Sequence, residues 1–387
     1  MNTLRRHYQR LTEDLFSKDY FPPDPDVATA MSILPLIPKG SFLLTGAKGT
    51  GKSTYVAACA RRFFVDDEES SMTRVNCHQE LMDSNVLYRI SYKNPDKPPQ
   101  PRNILRSRFR FIDEIARMSP NLQNAFLSFL SEEEVIFEDH HFPVPPGVTF
   151  FCRNPMDQGQ DGIVTALHDR IDVEIIVPDN TYPPKNHTVG EPPRPLSTQD
   201  MKKIWQAVNE VNIDDTCWDY THMINYYFSA CMVERSTANP LFTLPCKGCA
   251  HSAEICRQLR STPGRRALQS TFKFARALAW FDGRDQVDIT DIEFAIPYTY
   301  AHRLDFHNDV FMKYQDPQLY LRSTFLQGHL DAKRSIWLRA ITNKQRGNPD
   351  AILEAAKRHD DLVLAWLYGQ CADTGSSPQA SGTETQP

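Results

Sequence analysis

The sequence has no apolar run approaching the ~20 residues that a helix needs to cross a bilayer. Its first residues, Met1 to Asp14, are charged and lack the apolar stretch of a secretory signal. It also lacks an excess of positive charge. Lysine and arginine number 43 against 48 acidic residues, a formal net charge of -5, so nucleic acid is not the default partner. Short basic runs such as Arg106–Arg110 do not alter that balance. The cysteine count is nine, an odd number that argues against a disulfide framework. No internal repeat is visible. Together these absences lead to the expectation of a cytoplasmic protein with reduced thiols. Apolar residues make up 41% of the 387, enough for a sizeable core. At ~100–200 residues per domain this length makes two or three units.

Residues 1–20 read as a polar helix with Leu4, Tyr8, Leu11 and Leu15 on one face, broken by the prolines of Phe21–Pro25. Ser41–Thr45 reads as a buried strand that ends at Gly46, and Thr54–Phe64 as the helix after it. Strand, glycine loop and helix open an α/β unit. Phe109–Ile112, Val148–Cys152 and Ile171–Val177 are further strand candidates, and Val135–Phe137 with Phe142–Val144 a hairpin. Residues 93–103 read as a loop. Ser119-Pro120 marks a helix start, with Leu122, Phe126, Leu127 and Leu130 on one face. A proline-rich linker is expected at 178–198, helices from Gln199 to about Leu304, more helices over 311–370, and a disordered tail over 374–387. In the candidate strand at Phe109, Arg108 and Arg110 alternate with phenylalanines, whereas central parallel strands are apolar throughout. Those arginines are expected to reach a solvent edge or a partner subunit.

Gly46-Ala47-Lys48-Gly49-Thr50-Gly51-Lys52-Ser53 fits the pattern G-x-x-x-x-G-K-[ST]. The glycines let successive backbone N–H groups face a phosphate chain. The helix that follows, from Thr54, adds its positive end. Lys52 is the cation for the β- and γ-phosphates, and the Ser53 hydroxyl a ligand for Mg²⁺. A chance glycine loop is the competing explanation, which the position between strand and helix makes improbable. Downstream, Asp113-Glu114 end a strand candidate and place two carboxylates at the edge where open α/β sheets bind ligands. Asp113 suits the Mg²⁺ shell and Glu114 the polarisation of an attacking water. An ordinary solvated acidic turn is the alternative.

At this point the chain resembles the MoxR family of AAA+ ATPases. The likeness runs through Phe-Ile-Asp-Glu-Ile-Ala-Arg from Phe111, Cys-Arg-Asn-Pro-Met-Asp-Gln from Cys152 and His-Asp-Arg-Ile-Asp from His168. It resumes at Arg265-Arg266-Ala-Leu and at Ala-His-Arg-Leu from Ala301, covering roughly residues 25–305. Ala116 stands where the family has Asn. The resemblance implies an α/β core, a parallel sheet sandwiched by helices, followed by an all-α lid and C-terminal helices. It implies that Asn154 is the sensor that orients water and γ-phosphate, and that Arg170 is a finger reaching the neighbouring subunit's ATP. It implies that Arg266 is the lid arginine, with Arg265 as the alternative. On local evidence alone, Asn154 is a turn residue before Pro155, and the arginines are ordinary surface residues.

The organisation that follows is an N-terminal helix (1–20), a nucleotide-binding domain (21–180), a lid (199–305), a helical extension (311–370) and the tail (374–387). The resemblance further implies ATP hydrolysis in a ring, a hexamer, remodelling a protein partner such as a von Willebrand factor A domain protein. Two rivals are a nucleotide-dependent scaffold with little turnover, against which Glu114, Asn154 and Arg170 stand, and a DNA-acting motor, against which the acidic charge stands. One segment lies outside this scheme. Cys246-Lys-Gly-Cys249, with Cys231 before it and Cys256 after it, supplies four thiolates for a zinc ion or an iron–sulfur cluster, with His251 as a substitute ligand. Unligated cysteines are the alternative. Cys59, Cys77, Cys152, Cys217 and Cys371 read as ordinary thiols.

Overall fold

The computed structural model describes residues 2–22, 24–66, 72–91, 97–131, 134–137, 139–155, 162–178, 193–230, 254–260, 262–314 and 316–374. The chain divides into two compact units, one made of residues 1–214 and 264–303, the other of residues 215–263 and 304–387.

The strands among the described residues are β1 (Ser41–Thr45), β2 (Met72–Asn76), β3 (Tyr88–Arg89), β4 (Gln100–Pro101), β5 (Phe109–Asp113), β6 (Glu134–Phe137), β7 (His140–Pro143), β8 (Val148–Arg153) and β9 (Val173–Ile176). Five form a sheet in the order β2-β5-β8-β1-β9, every neighbouring pair parallel. β3–β4 and β6–β7 are antiparallel ribbons. The first of these takes part of the stretch expected as a loop over 93–103.

The registers matter for function. Thr45 lies opposite Arg153 on one side and Ile176 on the other, and Asn76 opposite Asp113. The carboxyl ends of these strands therefore share one edge. Phe42, Leu43 and Leu44 are fully buried, each such side chain worth roughly 1.5–3 kcal/mol on leaving water. On one face Phe150 packs against the tilted ring of Phe42 at 5.0 Å and stacks on Phe109 at 5.2 Å. On the other, Leu43, Ile112 and Phe151 pack with Leu122 and Phe126 of the helix Pro120–Ser131. Phe129 completes that helix's buried face, while Leu127 and Leu130 are only partly buried.

Arg110 corrects the expectation for β5. It is 3% exposed, so within the chain it does not reach a solvent edge. Its guanidinium donates to the carbonyls of Ile104 and Pro145 and lies 5.1 Å from the centre of the Phe129 ring. A buried guanidinium is tolerated where its donors find acceptors and its flat face an aromatic ring. The helix after the glycine loop spans Lys52–Ala60, starting and ending earlier than expected. Gly51, at φ 82°, turns the chain straight into it.

The N-terminal helix Asn2–Lys18 belongs to this unit. Tyr8, Leu11 and Leu15 are buried, and Tyr8 stacks on Phe63 at 4.9 Å. Asp14 pairs with the buried Arg62 at 2.6 Å. The helices Thr198–Asn209, Arg265–Phe281 and Ile289–Tyr300 complete the unit. Ala267, Phe274, Ala275 and Leu278 give the middle one an apolar face at helical spacing.

The second unit is helical, with Asp215–Ser229, Asp331–Gln345, Pro349–His359 and Leu362–Thr374, and a π-helical run over Leu321–Leu330. Trp337 is fully buried beside Tyr220 and Tyr227, and its indole N–H donates to Asp361 at 3.1 Å. Most of the expected linker and tail lies outside the described residues.

Candidate active site

The glycine loop leaves β1 beside β8, where Gly46 N–H donates to Arg153 O at 3.2 Å. A side chain at Gly46 would bring a Cβ within 2.6 Å of Val177 O, so only glycine fits there. Lys52 Nζ is turned into the loop. It donates to Gly46 O and Ala47 O, each at 2.7 Å, and to Thr50 Oγ1 at 3.2 Å. The loop thus fixes the ammonium through its own carbonyls. Ser53 Oγ lies 3.3 Å from Asp113 Oδ2. A hydroxyl and a carboxylate oxygen converging at the loop are the hard oxygen donors that Mg²⁺ prefers, so the residues present fit that ion.

Glu114 is a non-glycine residue in the left-handed region, at φ 56° and ψ 46°. That conformation costs roughly 1–2 kcal/mol and recurs at functional positions. The Glu114 side chain is 44% exposed, and its carboxylate lies 3.2 Å from Arg117. Lys48, Gly49, Gly51, Lys52, Ser53, Thr54, Asp113, Glu114 and Asn154 line one cleft of about 370 Å³. Gly46, Ala47 and Thr50 form the loop beneath.

Arg170 and Arg266 are elsewhere. They line a second cleft of about 330 Å³ with Ser41, Asp172, Lys273 and Arg303. Ser41 is the first residue of β1 and the glycine loop follows its last, so this cleft lies at the opposite, amino edge of the sheet. Arg170 donates to Ser131 Oγ at 2.7 Å, and Arg266 pairs with Asp169 at 2.6 Å. Asp172 anchors the cluster. It accepts from Ser270 Oγ at 2.9 Å and Lys273 Nζ at 3.0 Å. Burial by itself would raise its pKa, but Lys273, Arg303 and Ser270 hold the carboxyl below the usual value. Burial lowers Arg303 to about 10, against the pull of Asp172 and Asp169.

Several residues at the carboxyl edge were not foreseen. Arg74 of β2 pairs with Asp113 at 2.5 Å. Arg153 pairs at 2.8 Å with Glu174, a buried acid on β9. Part of the signal was present, since Glu174 inside the otherwise apolar run Val173–Val177 calls for a cation, though the run does not say which. Of the cysteine cluster, Cys231, Cys246 and Cys249, with His251, lie outside the described residues. Cys256 sits in a short turn, Ile255–Gln258. Among the described residues no group of three or more His, Cys, Asp or Glu is placed to hold a metal.

A family model described as "AAA domain (dynein-related subfamily)" matches residues 41–171, and one described as "AAA lid domain" matches residues 250–318. Protein MoxR of Paracoccus denitrificans is 24% identical over 281 residues, 69% of this chain and 80% of that protein. The uncharacterized protein YeaC of Bacillus subtilis (strain 168) is 24% identical over 295 residues, 72% and 81% of the two chains. The crystal structure of an ATPase candidate from Cytophaga hutchinsonii ATCC 33406 shares the fold. Its TM-score is 0.64 at 18% identity, covering 83% of this chain and 94% of that one. Parallel sheet, phosphate loop and following helices define an AAA+ ATPase. Within that class the chain resembles the MoxR family, through Protein MoxR at 24% identity over 69% of its length.

Proposed function

We propose that the protein binds Mg²⁺–ATP in the carboxyl-edge cleft and hydrolyses it in order to remodel a protein partner. The observation that carries this reading is the convergence of Lys52, Ser53, Asp113, Glu114 and Asn154 on one cleft. The loop's N–H groups and Lys52 would bind the phosphates. Ser53 and Asp113 would hold the Mg²⁺, which neutralises charge on the transferring phosphoryl group. Glu114, exposed to the cleft, would take the proton of the attacking water, and Asn154 would orient that water.

The placement of Arg170 and Arg266 supports a ring. At the amino edge neither serves its own glycine loop, and a neighbouring copy's loop is what a finger of this kind would serve. The resemblance to MoxR proteins favours a hexamer and a partner with a von Willebrand factor A domain. Glu114→Gln is expected to keep ATP binding and lose turnover, because an amide is no base. Equal hydrolysis rates for the variant and the wild type would refute the assignment of Glu114. The same variant with ATP should retain the partner in a pulldown.

A further inference from the structure

In the unit that contains the sheet, the edge strand β2, the short helix Asp83–Val86 and the β3–β4 ribbon enclose a third cleft, of about 350 Å³. Arg74, Arg89, Arg102 and Arg106 line it beside Asn85 and Asn103, and among the described residues none that lines it is acidic. In a chain whose acidic residues outnumber its basic ones, 48 to 43, four guanidinium groups without a lining carboxylate are not average surface.

The arginines are held on different terms. Arg102 is half-buried, its Nε donating to Ser84 O at 2.8 Å and Tyr88 O at 3.2 Å. Two backbone carbonyls thus fix its guanidinium without neutralising it. Arg74 lies 5.1 Å from the Phe111 ring centre and reaches Asp113. Arg89 and Arg106 are exposed, and their side chains have no hydrogen-bond or ion-pair partner among the described residues. Like charges gathered this closely repel one another. Guanidinium groups bind oxyanions through paired N–H donors, so an incoming anion would relieve that repulsion.

We propose that this cleft binds the carboxylates of an acidic protein segment. The inference rests on reading the protein as one that acts on protein partners, and it names the chemistry of the segment engaged. A nucleic-acid strand fits the cleft less well. Single strands need aromatic platforms along a basic groove, and among the described residues no aromatic side chain lines this cleft. The volume suits one or two side chains.

The test is a titration of fluorescein-labelled octaglutamate with the full-length protein, without nucleotide, followed by anisotropy. An oligothymidylate of equal length is run beside it. The wild type is expected to bind the peptide, less tightly as salt rises. The double variant Arg89→Gln/Arg106→Gln is expected to bind about tenfold more weakly or worse, with Arg89→Lys/Arg106→Lys in between. Binding of a fluorescent ATP analogue, measured separately, should be unchanged in both variants, which also certifies their fold. No peptide binding by the wild type, or equal binding by wild type and Gln variant, overturns the proposal. Oligothymidylate held as tightly as the peptide overturns it in favour of nucleic acid. Because the peptide titration uses no nucleotide, loss of ATP-analogue binding by the wild type would count against the nucleotide reading alone.

Discussion

The two clefts at opposite edges of the sheet both gather cations, but by different means. At the carboxyl edge Lys52 is held by carbonyls of Gly46 and Ala47, six and five residues away in the chain. At the amino edge Arg266, Lys273 and Arg303 reach Asp169 and Asp172 across 97, 101 and 134 residues. The first is a local structure that any strand–loop–helix unit can carry. The second exists only when the helix Arg265–Phe281 has docked onto the first unit's sheet. The glycine loop therefore depends on contacts within its own strand–loop–helix unit, whereas the arginine cluster depends on residues distant in the chain.

The comparison breaks most sharply at Lys52. Lys52→Ala removes the loop's buried-facing cation without touching the amino edge. Nucleotide binding should weaken about a hundredfold or more, read with a fluorescent ATP analogue, while thermal stability changes little. Unaltered binding would show that the loop is not the phosphate site.

A smaller but still large effect is expected at the other edge. Asp172→Asn leaves Lys273 and Arg303 without their buried carboxylate. The unit should lose about 3 kcal/mol of stability, measured by urea unfolding, with nucleotide affinity nearly intact in the fraction that stays folded. A variant as stable as the wild type would mean that water replaces the carboxylate.

The smallest effect concerns pH. Burial lowers the pKa of His168, and burial with the neighbouring Arg303 and His168 lowers that of His302 further. Both are neutral in the folded protein at neutral pH. Below about pH 6.5, the ordinary histidine value, the unfolded chain takes up protons that the folded one refuses, so stability falls as pH falls. Between pH 7 and 8 these two groups should contribute no change. A melting temperature that drops on acidification from pH 7 to 5.5, and drops less in His302→Gln, is the expected result.

The same contrast explains what was legible in the sequence. The glycine loop and Asp113-Glu114 could be read because each is contiguous and ends a strand. β1 and β8 could be read because burial on both faces makes them apolar runs, and β5 because Phe109, Phe111 and Ile112 mark it despite Arg110. β2 could not: Met72–Asn76 is a half-exposed edge strand with Thr73, Arg74 and Asn76 in it. Arg74 beside Asp113 therefore went unseen, as did Arg153 with Glu174, because partners from different strands meet only through sheet register. Arg110 was misjudged for a related reason. The carbonyls of Ile104 and Pro145 that satisfy it come from loops whose position no local pattern gives.

The central claim is that the two edges belong to one site, completed between neighbouring copies. Arg170→Ala protein keeps Glu114, and Glu114→Gln protein keeps Arg170, so each is expected to be nearly inactive alone. Steady-state ATP hydrolysis of the two mixed in varying ratio tests the claim most directly. The account predicts activity in the mixture well above the sum of the two parts, rising to a maximum near equal amounts. Activity equal to that sum at every ratio, in samples shown to have co-assembled, would contradict it.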